Sequence, residues 1–157
     1  MLYTVFVKQT ILRVLWVLAG ASVALVLALH VVRPADSTLL LASLGGSTLF
    51  LFGLTALPPT QPRALFGGHL MSALIGVICY QLFGDATWVM VLSVLITIAA
   101  LILSRTVHPP AGANPLIMIH SHAGFIDIWT HVFAGVLVLA ITTFIWSRLG
   151  HGQVRYP

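Results

Sequence analysis

The sequence predicts an all-α polytopic membrane protein, and three observations lead to this fold class. Of 157 residues, 59% are hydrophobic and 6% are charged, whereas soluble globular domains carry about 25% charged residues. Seven Lys and Arg and three acidic residues are too few to cover a water-soluble surface. The mean hydropathy is +1.07. Because a membrane helix takes about 20 apolar residues, the chain has room for five or six crossings.

The charge and cysteine patterns exclude two other classes of protein. The net charge is +4, but the cations are spread singly along the chain without a basic cluster, so we expect no nucleic-acid partner. The single cysteine, Cys79, excludes an internal disulfide framework. Lys8 and Arg13 before an apolar stretch are similar to the start of a signal peptide. No small-residue cleavage site follows, which predicts a retained first membrane helix.

Connectors rich in proline, glycine or charge separate six apolar segments. The six segments cover residues 11–32, 38–57, 65–83, 86–104, 115–120 and 128–146. The second and fifth are short or broken, so part of their depth has to come from non-helical backbone buried in protein. We expect one transmembrane domain over residues 1–157 and no soluble domain.

The positive-inside rule favours six crossings with both termini in the cytoplasm. This arrangement places one cation, Arg33, outside and the others inside, namely Lys8, Arg13, Arg63, Arg105, Arg148 and Arg155. Five crossings, or two re-entrant segments, divide the cations almost evenly. The sequence therefore predicts an integral protein of the bacterial inner (plasma) membrane with cytoplasmic termini.

A weak internal repeat divides the six segments into two groups of three. A shift of 67 residues aligns residues 45–49 with 112–116, and residues 66–68 with 133–135, without a gap. Repeat 1 then covers about residues 11–83 and repeat 2 about 86–147. An odd number of crossings per repeat makes the second repeat inverted, which is a transporter architecture.

Residues 108–115, His-Pro-Pro-Ala-Gly-Ala-Asn-Pro, form the most informative stretch. Pro109 and Pro110 end the fourth segment, and Gly112 permits backbone conformations closed to other residues. Asn114 followed by Pro115 is typical of a helix start, with Asn114 as the cap. The stretch therefore predicts a helix N-terminus within the membrane, where free N–H groups favour an anion.

The corresponding stretch of repeat 1 predicts a second helix start, with Ser47 or Thr48 as its cap. Together the two starts would form one site for a small anion, lined by Gly45, Gly46, Ser47, Thr48, Gly112, Ala113 and Asn114. The alternative is that small residues here serve close helix packing. For Gly45 and Gly46 taken alone, packing is the favoured interpretation.

The histidines divide into two groups by depth. His69 and His108 are predicted inside the bundle, where ionisable side chains face a cavity or the protein interior. His108 has three possible roles: it binds substrate, carries a proton, or ties down the carbonyls freed by the prolines. His120, His122 and His131 lack the accompanying Cys or Glu of a metal site, and we interpret them as solvated or interfacial.

Three polar residues at the predicted ends of the second and fourth segments are candidates for a pathway entrance. Arg63 and Arg105 serve first as topology determinants, but they flank the broken segments and can draw anions toward them. Gln61 adds an adjacent amide. We predict that these residues line the mouth of the anion site.

The stretch from His108 to Ala113 resembles the signature of the HPP family of small integral membrane proteins. Residues 44–47, 61–63, 67–69 and 72–76 resemble that family's other recurrent block. The resemblance covers about residues 10–148. It implies a helical bundle usually described with four spans, and plant and cyanobacterial members are linked to nitrite transport. Some relatives carry regulatory cystathionine-synthase-type domains, which we do not expect here.

The sequence thus predicts a transporter or channel for a small monovalent anion. Nitrite is the best single candidate, and it follows from the resemblance alone. The alternatives are a non-transporting membrane adaptor or sensor component and, less favoured, a haem or metal protein. We expect no enzymatic activity, no cofactor and no metal. A homo-oligomer is expected because one small bundle shields two broken segments poorly from lipid.

Overall fold

A computed structural model describes residues 2–32, 39–54 and 57–149, and every regular element within these ranges is helical. In chain order, α1 (Leu2–Val32) is followed by α2 (Leu39–Thr48), which continues as a π-helical turn (Leu49–Gly53). A 3-10 turn (Pro58–Thr60) leads into α3 (Pro62–Phe83), and α4 (Thr87–Ser104) follows. The remaining elements are a 3-10 turn (Pro109–Ala113), α5 (Asn114–His120), α6 (Phe125–Asp127), a π-helical stretch (Ile128–Phe133) and α7 (Ala134–Leu149).

Four of these helices are long and apolar enough to cross a membrane. They cover Val7–Val32, Pro62–Phe83, Thr87–Ser104 and Phe125–Leu149. The second and fifth predicted segments are short, with an apolar helix over Ala42–Gly53 and the seven residues of α5. The prediction of an all-α polytopic membrane protein with two short segments is therefore confirmed. The predicted connector at residues 33–36 and Arg155 lie outside the described residues.

The second segment is not broken where the sequence analysis placed the break. Gly45 and Gly46 lie inside α2, which runs without interruption into the π-helical turn. The hydroxyls of Ser47 and Thr48 donate to the carbonyls of Ser43 and Leu44, four residues earlier, at 3.0 and 2.9 Å. Such bonds form only within a helix, so the prediction of a helix start capped by Ser47 or Thr48 is wrong.

The helix predicted to start at Asn114 and Pro115 is α5, which begins at Asn114, but a 3-10 turn that was not predicted precedes it. His108 is extended, with φ −129° and ψ 101°, and the 3-10 turn starts at Pro109. Asn114 already has helical angles, φ −58° and ψ −40°, and its side chain caps nothing. The prediction of Asn114 as a cap was wrong because Pro109 and Pro110 fit the first turn of a helix as readily as they end one. Gly112 has no positive φ, so it does not use the backbone conformations that only glycine permits.

The bundle is built from close helix pairs. Helix α1 packs against α7, and α3 packs against both α4 and α5. A Cβ atom on Gly76 of α3 would lie 2.7 Å from Cα of Pro115, so only glycine permits this approach to α5. The contact between α3 and α5 sets the position of Asn114 relative to α3.

Candidate functional site

Five polar side chains meet in the interior of the bundle, and we call them the central cluster. Each is at most 1% exposed: Ser43, Ser47, His69, His108 and Asn114. They come from α2, α3, the residue before the 3-10 turn, and the first residue of α5. Since buried polar groups cost free energy unless they are hydrogen-bonded, such groups have to satisfy one another.

The hydroxyl of Ser47 joins the two imidazoles of the central cluster. Its Oγ lies 2.8 Å from Nε2 of His69 and 2.9 Å from Nε2 of His108. The two ring centroids are 5.1 Å apart. A serine hydroxyl has one hydrogen and two lone pairs, so it can bridge both rings at once.

Asn114 holds the opposite edge of the His69 ring. Its Nδ2 donates to the backbone carbonyl of His69 at 3.1 Å and lies 3.0 Å from the ring nitrogen Nδ1. Because the backbone carbonyl can only accept, the end of the Asn114 amide that faces His69 is the nitrogen, Nδ2. Its second hydrogen then points at Nδ1 of the His69 ring. His69 is therefore in the neutral tautomer with its proton on Nε2, directed at Ser47. The oxygen of the Asn114 amide, Oδ1, is buried and has no hydrogen-bond partner.

Local sequence explains why these elements approach so closely. Ser43 and Ser47 are four residues apart and therefore share one face of α2. A Cβ atom on Gly68 would lie 2.9 Å from Cβ of His108, and one on Gly46 would lie 3.1 Å from Cβ of Pro110. Glycine at both positions allows the segment around His108 to reach α2 and α3. The carbonyl of Pro110 accepts a bond from Ser43 Oγ at 3.1 Å.

The predicted entrance residues lie together where α3 begins and α4 ends. Gln61, Arg63 and Arg105 line one pocket with a volume of about 190 Å³, which Pro58, Ala64 and Val107 complete. Arg63 donates to the carbonyl of Ser104 at 2.9 Å. Among the described residues, the carboxylates within ion-pairing distance of a partner are Asp85 and Asp127, and both pair with histidines. Within the described ranges, neither Arg63 nor Arg105 forms an ion pair with a carboxylate.

The arginine pocket and the central cluster lie on the same two stretches of chain. Ala64 in the pocket wall precedes His69 by five residues, about 7.5 Å along a helix. Val107, also in the wall, directly precedes His108. Along the chain, each of these two wall residues is therefore close to one of the imidazoles.

The structure brings together some predicted site residues and separates others. Ser47, His69, His108 and Asn114 form the central cluster. Thr48 is buried but bonds only within its own helix, and Ala113 packs against the hydrophobic core. A Cβ atom on Gly45 or Gly112 would meet nothing within 4 Å. Gly46 serves packing against Pro110, as the alternative interpretation held.

Two contributors to the site were missed in the sequence. Ser43 bonds to Pro110 and lies 3.5 Å from Nδ1 of His69. Its spacing of four residues from Ser47 was the available signal. Phe50 packs its ring 5.7 Å from that of His108, and nothing distinguished it from the other apolar residues of its segment.

Two further histidines, His122 and His131, lie outside the central cluster and pair with carboxylates. Nε2 of His122 is 3.0 Å from Asp85, and the His122 ring stacks on Tyr80 at 5.1 Å. Nδ1 of His131 is 3.1 Å from Asp127. The hydrogen bond from His122 lowers the pKa of Asp85 below its ordinary value. Within the described ranges, no three His, Cys, Asp or Glu side chains lie together as metal ligands.

Comparison with known proteins places the chain in a family. The model of the HPP transmembrane region matches residues 7–157. Two transmembrane proteins of Dictyostelium discoideum are similar to the chain. DDB_G0273707/DDB_G0273361 is 29% identical over 88% of this chain and 47% of its own length. DDB_G0269096 is 24% identical over 90% of this chain and 53% of its own.

The chain thus spans about half the length of these curated relatives. No solved structure matches it. The family match covers the three residues Ser47, His69 and His108 of the central cluster. The chain is an integral membrane protein of the HPP family.

Proposed function

We propose that this protein is a transporter or channel for a small monovalent anion, with nitrite as the best single candidate. The observation that carries the proposal is the arginine pocket. Its walls belong to the same two stretches that hold the imidazoles: Ala64 lies five residues, about one and a half helical turns, before His69, and Val107 directly precedes His108. A cationic mouth followed by a buried polar site is the order of groups that anion passage needs.

The internal repeat supports this proposal. Residues separated by the predicted shift of 67 contact each other: Ser43 donates to Pro110, and Phe66 packs against Phe133 at 6.0 Å. Contact between equivalent positions is expected beside a two-fold axis. Ser47 and Asn114, also 67 residues apart, bond opposite edges of the His69 ring. A site at the interface of two repeats is typical of transporters.

A second candidate, a non-transporting membrane adaptor, is favoured by one observation. The side chains of the central cluster are fully buried and largely bonded to one another, as expected of a network that only fixes helix positions. In that case the arginine pocket would not be part of a pathway across the membrane. The two candidates differ in a single measurable property, the movement of anions across a bilayer.

A flux assay in proteoliposomes tests the proposal. We expect the purified protein to raise the flux of at least one of nitrite, nitrate, formate, chloride and bicarbonate above that of protein-free liposomes. Exchanging both pocket arginines in Arg63→Gln/Arg105→Gln should lower that flux, while the exposed His120→Gln should not. Absence of flux for all five anions would leave the adaptor. An absorbance spectrum and metal analysis of the same sample test for haem or metal.

Cytoplasmic termini and a homo-oligomer belong to the same proposal. Six crossings, four of them long and two short, return both termini to one side, and with this number of crossings the cation distribution favours the cytoplasm. Labelling of cysteines introduced at residues 3 and 155 tests sidedness, and cross-linking in mild detergent tests the oligomer.

A further inference from the structure

One buried atom in the central cluster lacks a partner that its chemistry requires. Asn114 Oδ1 is a carbonyl oxygen, it is completely buried, and it has no hydrogen-bond donor. Leaving such an acceptor unpaired costs folding free energy, and native proteins rarely retain it without a use. The group that completes this site therefore has to bring a hydrogen.

The neighbouring donors are already engaged. Both hydrogens of Asn114 Nδ2 point at His69, and the His69 Nε2 proton is directed at Ser47. Ser43 Oγ donates to the carbonyl of Pro110. An anion placed beside Asn114 Oδ1 would therefore meet a lone pair on a carbonyl oxygen, with no hydrogen between them.

No permanent charge in the cluster compensates this contact. The cluster's titratable side chains are His69 on α3 and His108 before the 3-10 turn, while α2 and α5 contribute only the serines and Asn114. The fixed positive charges, Arg63 and Arg105, line the pocket rather than the cluster. A strong-acid anion is therefore well received at the pocket and poorly received at Asn114.

We infer that the central cluster takes its substrate as a protonated weak oxyacid, so that one anion and one proton pass together as a neutral molecule. The inference rests on the proposed function and names its substrate class. The acid O–H donates to Asn114 Oδ1, the acceptor that the cluster leaves unpaired. Nitrous and formic acids have this O–H, whereas chloride and nitrate derive from strong acids and carry no proton.

The test compares weak-acid and strong-acid anions in proteoliposomes that contain the purified full chain and an internal pH dye. Nitrite and formate should enter together with internal acidification, at a rate set by the inward proton gradient. Because the moving species is neutral, a potential imposed with potassium and valinomycin should not change this rate. Nitrate and chloride should move no faster than in protein-free liposomes, whose leak of undissociated acid is subtracted throughout.

Three results would overturn the inference, and they are distinguishable. Nitrate or chloride flux comparable to nitrite flux, or nitrite flux driven by an inside-positive potential, would mean that the bare anion passes. Flux of methylammonium in place of the acids would assign the missing donor to a cation. Absence of any flux would overturn the proposed function itself.

A variant pair locates the effect at the unpaired oxygen. Asn114→Leu removes Oδ1, and Thr97→Val removes another buried oxygen without a partner, Thr97 Oγ1 in α4. We expect nitrite-coupled acidification to fall about tenfold or more in Asn114→Leu, which corresponds to about 1.4 kcal/mol, and to stay unchanged in Thr97→Val. Equal rates in both variants would contradict the role of Asn114. The wild-type selectivity decides the inference even where Asn114→Leu does not fold.

Discussion

Histidine occupies two contrasting environments in this protein. His69 is 1% exposed and its ring is held at both nitrogens by the neutral groups Ser47 and Asn114. The side chain of His122 is 58% exposed and pairs with the carboxylate of Asp85. The same imidazole is thus held by neutral groups in the interior in one place and is the exposed partner of a carboxylate in the other. Depth in the bundle, which determines the available partners, decides between these roles.

The largest difference is expected from removing each ring in turn. His69→Leu leaves Asn114 Nδ2 without its ring acceptor and Ser47 Oγ without one of its two imidazoles. Because an unpaired buried group costs about 1–3 kcal/mol, we expect a loss of about 2–5 kcal/mol in unfolding free energy. His122→Leu changes an exposed side chain and should cost within about 0.5 kcal/mol.

Denaturation in detergent, followed by tryptophan fluorescence, measures both variants of this pair. Each should first elute as a single species on gel filtration. Equal midpoints for His69→Leu and His122→Leu would contradict the contrast between the two environments.

A smaller difference is expected between two neighbouring hydroxyls of α2. Ser47 and Thr48 are both buried and both bond back to a carbonyl four residues earlier, but only Ser47 also touches imidazoles. Ser47→Ala should therefore lower the unfolding free energy by about 1–2 kcal/mol more than Thr48→Val, since it deprives two ring nitrogens of a partner. A larger loss for Thr48→Val would indicate that the serine bridge contributes little.

Much of the architecture could be predicted from the sequence, because apolar length and connector composition determine how many helices cross a bilayer. The entrance residues Gln61, Arg63 and Arg105 were also predicted together, from their positions beside segment ends. Four of the five residues of the central cluster were predicted as site residues, but the hydrogen bonds between them were not. Polar residues deep in apolar segments indicate a site because they face the interior of the bundle, whichever partners they bond to.

The wrong assignment of Asn114 as a cap has a physical explanation. Asn followed by Pro fits both a cap with a first helical residue and the interior of a first turn, and the sequence alone does not separate the two. The outcome depends on tertiary partners. The backbone carbonyl and ring of His69 take the Asn114 amide, which is then not used for capping. The predicted cap would use Asn114 Oδ1 to accept from backbone N–H groups, whereas in the structure Nδ2 donates to His69 on another helix and Oδ1 has no partner.

The smallest predicted effect concerns the exposed pair of His122 and Asp85. It is measured as a change in the pKa of Asp85 rather than as a change in unfolding free energy. The hydrogen bond from His122 stabilises ionised Asp85 and lowers the pKa of its carboxyl. His122→Ala removes the donor, so the Asp85 pKa should rise toward its ordinary value. NMR titration of carboxyl-labelled aspartate measures the shift, and His120→Ala, also exposed, is the control that should leave it unchanged.

The sign of the pH dependence follows from the same bond. A carboxyl whose pKa is lower in the folded state contributes stability above its unfolded pKa and loses that contribution as the pH falls through the lowered value. The link between the α3–α4 turn and the stretch after α5 should therefore weaken only in acid, at a pH below the ordinary carboxyl pKa. An Asp85 pKa that stays low in His122→Ala would mean that the turn backbone, rather than the imidazole, holds the charge. The contrast with His69 would then rest on exposure alone.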